Sequence, residues 1–268
     1  MSSDDGPGIV TLELKGAFRQ PGCPICRVRQ ETANRYIFHL LWENVNDFTT
    51  RLHLVRGLGF CPEHTWQLYH TEVDQFGDGL GISIIYEHLT RLIVDGLLSF
   101  EASLPVSTPE HRHWWQRGWA RLRAAAQQTT SSPHRPHMDD LVPNEECRAC
   151  FYAKATEQNN IGWLVQGCAD VDFRSKYAAS DGLCLAHLRQ ALAHAAQVEP
   201  DVARFLADDA ARRLTALVTD LGEYGRKHAW QYRHEVKTDG EQDSPRRAAQ
   251  FFGGQDGGNG RTERTGNV

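Results

Sequence analysis

Six of the seven cysteines fall into two matching sets, each closed by a histidine. The first runs Cys23-x-x-Cys26, then Cys61-x-x-His64; the second runs Cys147-x-x-Cys150, then Cys184-x-x-His187. A two-residue spacer lets both donors of a knuckle converge on one ion, and with Zn–S near 2.3 Å tetrahedral sulfurs stand about 3.8 Å apart. Three thiolates and an imidazole fill all four positions of zinc and suit its preference for sulfur and nitrogen. The spacing therefore predicts two zinc ions per chain, one for each half: Cys23, Cys26, Cys61 and His64 in the first, Cys147, Cys150, Cys184 and His187 in the second. Redox pairs share Cys-x-x-Cys, but they sit in a βαβ context this chain lacks. Iron–sulfur clusters favour four cysteines, and histidine can replace one.

The two sets belong to a longer internal repeat. The first cysteine pairs are offset by 124 positions, and "GFCPEH" and "GLCLAH" by 123. Between them Thr32, Ile37 and Leu40 match Thr156, Ile161 and Leu164, and Asp47-Phe48 pairs with Asp172-Phe173. Apolar residues recur every three or four positions through Ile82–Leu97 and Val202–Leu221, which is helical periodicity. No stretch alternates as a strand would. The fold class expected is all-α: two pseudo-equivalent helical halves from an internal duplication, each with its own Cys3His zinc site. The boundaries are a disordered N-terminus over 1–15, a first repeat over 16–104, a linker over 105–143 and a second repeat over 144–235. Residues 236–268, nearly without apolar side chains except Phe251-Phe252, read as a disordered tail.

The duplicated Cys-Pro-x-Cys … Gly-Phe-Cys-x-x-His-x-Trp layout resembles an uncharacterised bacterial family, a domain of unknown function. "CPIC" and "GFCPEHTW" carry the likeness in the first half; "CRAC" and "GLCLAH" keep the ligands in the second. The resemblance supports the ligand assignment and implies no activity.

Within the linker, "HRHWWQRGWARLR" holds four arginines and three tryptophans with no acidic residue. Arg112, Trp114, Trp115, Arg117, Trp119, Arg121 and Arg123 could meet an anionic partner, nucleic acid included, through phosphate contacts and base stacking. The simpler reading is an amphipathic helix docking its tryptophans on the body. His111, His113, His134 and His137 read as solvated linker histidines, and Cys168 as a buried apolar residue.

A formal charge of −5 argues against wholesale nucleic-acid binding. No apolar run reaches the roughly 20 residues of a membrane span, and the acidic start "MSSDDGPGIV" is unlike a signal peptide. The expected location is the cytoplasm. Paired carboxylates, nucleophile motifs, phosphate loops and His-Glu-x-x-His are absent, and Glu63 reads as a helix-start glutamate. The function this supports is a zinc-stabilised scaffold or adaptor that binds another macromolecule, a protein first. A thiolate-metal enzyme, iron–sulfur or redox, is the alternative.

Overall fold

The structure is a computed structural model that describes residues 7–103 and 141–255. The described residues are helical, with no strand among them. Helix α1 (Pro7–Ala17) leads into α2 (Pro24–His39), α3 (Phe48–Arg56), α4 (Pro62–Thr71) and α5 (Leu80–Ser103). Beyond residue 140 come α6 (Arg148–Gly167), α7 (Val171–Ala178), α8 (Leu185–Val198), α9 (Pro200–Arg226) and α10 (Asp239–Gly253). Helix order repeats: α2 to α5 match α6 to α9. The Trp/Arg stretch from Arg112 to Arg123 and the four linker histidines lie outside the described residues.

Local chemistry sets the helix starts. Proline occupies the first turn of α2, α4 and α9, where its missing N–H costs nothing. Asp47 caps α3 by accepting from Thr50 N at 2.7 Å, and Asp170 caps α7 by accepting from Phe173 N at 2.9 Å. These caps correct the repeat alignment. Asp47 is equivalent to Asp170, not to Asp172, whose carboxylate instead faces Lys15 and Lys176. Phe48 is 79% exposed while Phe173 is buried, so that pair is not equivalent either. The offset thus falls from 124 to 123 between Leu40 and Asp47. A π segment, Leu40–Asn44, occupies that interval. A π turn holds more residues than an α turn, so the first half absorbs its extra residue without breaking the helix.

The most extensive helix packing is between α2 and α6. Arg29 pairs with Glu157 at 3.3 Å, and the Tyr36 and Tyr152 rings lie 5.0 Å apart. Contacts that step up α2 step down α6, so the helices run antiparallel. One core gathers Ile25 and Val28 from the start of α2 with Leu164 and Val165 from the end of α6, beneath α7, α8 and α9. Cys168 is fully buried there, as a small apolar residue would be. The other core joins Ile37 and Leu40 from the end of α2 with Cys147 and Ala149 at the start of α6, against α3, α4 and α5.

Helix occupies part of each outer segment. Helix α1 begins at Pro7 and places a fully buried Leu14, with Ala17 and Phe18, in the first core. In the tail, Thr238 and Glu241 form a capping box that starts α10. What residues 236–253 lack in apolar surface they recover in ion pairs to α9. Lys227 Nζ donates to both Glu241 oxygens, at 2.9 and 2.7 Å, and to Val236 O at 3.0 Å. Arg247 reaches Asp220 at 2.6 Å. Composition detects a missing core but not a docked polar helix. Residues 256–268 lie outside the described residues.

The Lys227–Glu241 pair is buried on both sides. Removing one partner strands a charge, whereas replacing both with apolar residues of similar size is tolerated. Lys227→Met should therefore loosen α10, seen as faster proteolysis and amide exchange over 239–253, and Lys227→Met with Glu241→Leu should restore protection. Lys227 donation holds the Glu241 carboxyl below its ordinary 4.5. This contribution is accordingly present above pH 4.5 and fades as pH falls through the depressed value.

Candidate metal centres

Geometry pairs the knuckles across the halves. One set comprises Cys23, Cys26, Cys184 and His187; the other comprises Cys61, His64, Cys147 and Cys150. Within each set, one donor atom per residue lies within 4.8 Å of all the others. All eight predicted donors are used, but the expected pairing within each half is wrong. The reason is helix length. Helix α2 spans 16 residues, about 24 Å, and α3 returns only 9, about 14 Å. The chain reaches its Cys-x-x-His still at the far end of α2. There the antiparallel α6 delivers the other half's Cys-x-x-Cys.

In the first centre Cys26 Sγ stands 3.7 Å from Cys184 Sγ. His187 Nδ1 lies 3.3 Å from Cys23 Sγ, 3.3 Å from Cys26 Sγ and 3.2 Å from Cys184 Sγ. In the second, Cys61 Sγ to Cys150 Sγ is 3.6 Å, and His64 Nδ1 lies 3.1, 3.6 and 3.3 Å from Cys61, Cys147 and Cys150. Sulfurs around a tetrahedral zinc stand about 3.8 Å apart, so both sets are near ligand spacing. The first cysteine of each knuckle is the N-cap of the helix that follows it. Thiolate is favoured there by the helix dipole. Gly59 and Gly182, at φ +93° and +80°, turn the backbone ahead of Cys61 and Cys184 in a conformation that side chains disfavour.

The electrostatics of the protein alone show what an ion must overcome. Burial raises the Cys23, Cys147 and Cys150 thiols, Cys150 to about 12. Cys184 is pulled strongly the other way by hydrogen bonds from Cys23 and Cys26. Burial also disfavours a charged His187, but contacts with Cys184 and Cys26 outweigh it and raise the imidazole to about 10. Burial lowers His64. Loading either centre with a divalent ion must displace protons from buried thiols, which ties affinity to pH.

The surroundings of the two histidines differ. His187 Nε2 meets Glu157 Oε1 at 3.3 Å, and Glu157 is held by Gln190 at 2.9 Å and Arg29 at 3.3 Å. Such a carboxylate fixes ring orientation and tautomer behind a ligating histidine. At the matching offset the first half has Ala33, and His64 borders a polar cavity of about 470 Å³ with Asn34, Glu63 and Gln67. Nothing in its spacing marks Glu157; only the packing of α6 against α8 brings it to His187. We expect Glu157→Gln to weaken metal at Cys23/Cys26/Cys184/His187 by about 10- to 100-fold. Competition with a chelator, read by native mass spectrometry, should show the other centre unchanged.

Gly254, just past α10, covers the first centre. At φ +79° it passes so close that a Cβ there would lie 3.1 Å from Cys26 Sγ and 4.0 Å from Cys184 Sγ. The tail thus shields a pair of thiols contributed by both halves.

A model described as a family of unknown function, DUF6062, matches residues 7–258. The chain belongs to that family. An uncharacterised 23.9 kDa protein encoded in the xynA 3′ region of Caldicellulosiruptor sp. (strain Rt8B.4) is 32% identical over 74 residues. That match covers 28% of this chain and 34% of the relative. No solved structure matches. Membership in DUF6062 supplies no activity, so function must be argued from the centres. Among the described residues, no helix is long and apolar enough to cross a membrane.

Proposed function

We propose that this DUF6062 protein is a helical scaffold fastened by two structural zinc ions, working in a reducing cytoplasm as an adaptor for another protein. One observation carries the reading: each four-donor set takes two ligands from each half. A catalytic zinc keeps a position for water or substrate, with three protein ligands. Here four donors close each set, and three thiolates leave the centre with a formal charge of −1, a poor Lewis acid. Thiolates and imidazole select zinc over the oxygen-loving divalent ions. The protein-binding role draws support from an aromatic cluster facing solvent. Phe38, Trp42 and Phe76 stack on one another at 5.2–6.3 Å, and Trp42 is 67% exposed. Exposed aromatics are enriched where protein surfaces bind.

The test is metal analysis of protein purified from its native host. Two zinc ions per chain and a colourless solution are expected, and cobalt substitution should give the spectrum of tetrahedral thiolate sites. Iron, a brown colour, or an open water-bearing position would overturn the reading.

A further inference from the structure

A second hollow in the molecule is chemically unlike the metal centres. It has a volume of about 310 Å³, lies between α9 and α10 and reaches the backs of Cys23 and Cys184. Its apolar wall includes Leu183, Leu214, Leu217 and Phe251. Ligand sites run from about 300 to 1,000 Å³ and combine such walls with a few convergent polar groups.

The polar lining includes Asp181, whose carboxylate accepts from Gly22 N at 2.7 Å, and Arg247, which is paired with Asp220. Tyr177, 1% exposed, lines the hollow beside Arg213. Arg212 stands at the margin with its side chain 67% exposed, contacting Asp209 through one guanidinium nitrogen. An arginine offers five donors, so most of this one's are uncommitted in the protein's own hydrogen bonds. The Arg213 guanidinium, by contrast, is spent on Asp209 and on the carbonyls of Ala178, at the end of α7, and Ser180 beyond it.

The hollow also departs from the repeat. In the first half, the space beside Gly59 is filled by Tyr86 and Leu89. In the second, Gly182 meets the Arg213 side chain instead, and the apolar wall beyond it is left lined but unfilled. An arginine thus stands where the first half packs apolar and aromatic side chains.

We infer that this cavity binds a small amphipathic carboxylate, its apolar body along Leu214, Leu217 and Phe251 and its anionic end toward Arg212, with the Tyr177 hydroxyl donating to the ligand. This site is independent of the adaptor role. A phenol can donate to a carboxylate, and a charge-assisted bond to arginine is among the stronger contacts available.

Titration calorimetry of the zinc-loaded full chain tests this, with decanoate below its micelle concentration and decan-1-ol as the neutral probe. One saturable decanoate site is expected, with decan-1-ol at least tenfold weaker. Arg212→Gln should remove most of that difference, and Tyr177→Phe should weaken decanoate several-fold. Leu214→Trp should abolish binding by filling the space; Ala210→Leu, a smaller intrusion from the same wall, serves if Leu214→Trp lowers the melting temperature. No saturable binding, or binding unaffected by the filling variants, would overturn the site. Equal affinity for both probes would overturn the carboxylate assignment.

Discussion

Cys23→Ser and Cys184→Ser should each leave one zinc per chain, and the two together should still leave one. Cys23→Ser with Cys61→Ser should leave none. The difference is a direct consequence of crossed pairing, because Cys23 and Cys184 share a set while Cys23 and Cys61 do not. Pairing within each half requires the reverse, so native mass spectrometry of the two double variants decides between them. A large loss of stability should accompany the metal. Structural zinc in finger peptides is worth about 10–16 kcal/mol of apparent binding energy at neutral pH, comparable with the whole net stability of about 5–15 kcal/mol for a domain. Even a loss of about 3–5 kcal/mol lowers the melting temperature of a chain this size by roughly 6–20 °C. The combination that empties both centres should melt far earlier than the one that empties a single centre, although each carries two substitutions. Equal melting temperatures would mean that the ions do not hold the fold.

The donors were legible in the sequence, and their pairing was not. Repeated Cys-x-x-Cys and Cys-x-x-His at nearly constant separation marks eight ligands, but a constant offset is the same whether a knuckle meets its own half or the other. The deciding information was present in another form. A 16-residue helix followed by a 9-residue helix cannot bring Cys61 back to Cys23, and that arithmetic needs helix bounds that composition does not provide. The single-residue slip between the halves was visible as an offset change, yet only the Asp47 and Asp170 caps locate it at the Leu40–Asn44 π segment. Apolar periodicity found α5 and α9 because they bury a stripe. It passed over α10, which is held by Lys227–Glu241, Arg247–Asp220 and a capping box. Ion pairs between segments leave no periodic trace. Glu157 was invisible for the same reason, since its meaning comes from a histidine 30 positions away on another helix.

Cutting the chain between residues 104 and 140 should yield two fragments that remain together while metal is bound. A protease site inserted there separates Cys23, Cys26, Cys61 and His64 on one fragment from Cys147, Cys150, Cys184 and His187 on the other. Each centre then has two ligands on each fragment, so neither fragment can close a four-donor site alone. The antiparallel α2–α6 contact adds buried surface at the same seam, including Ile25, Ile37 and Leu164. Two metal links in one interface act together, because opening one leaves its partners held close by the other. The nicked protein should co-elute as one species at sub-micromolar concentration and retain its helical circular dichroism. A strong zinc chelator should then part the fragments with loss of helicity, and returning zinc to the mixture should rejoin them. Acid should act in the same direction, since protons compete for the thiolates. Fragments that separate while each keeps a full zinc would restore the within-half arrangement. Fragments that stay paired and helical without zinc would show that the α2–α6 core alone holds the halves, reducing the ions to passengers.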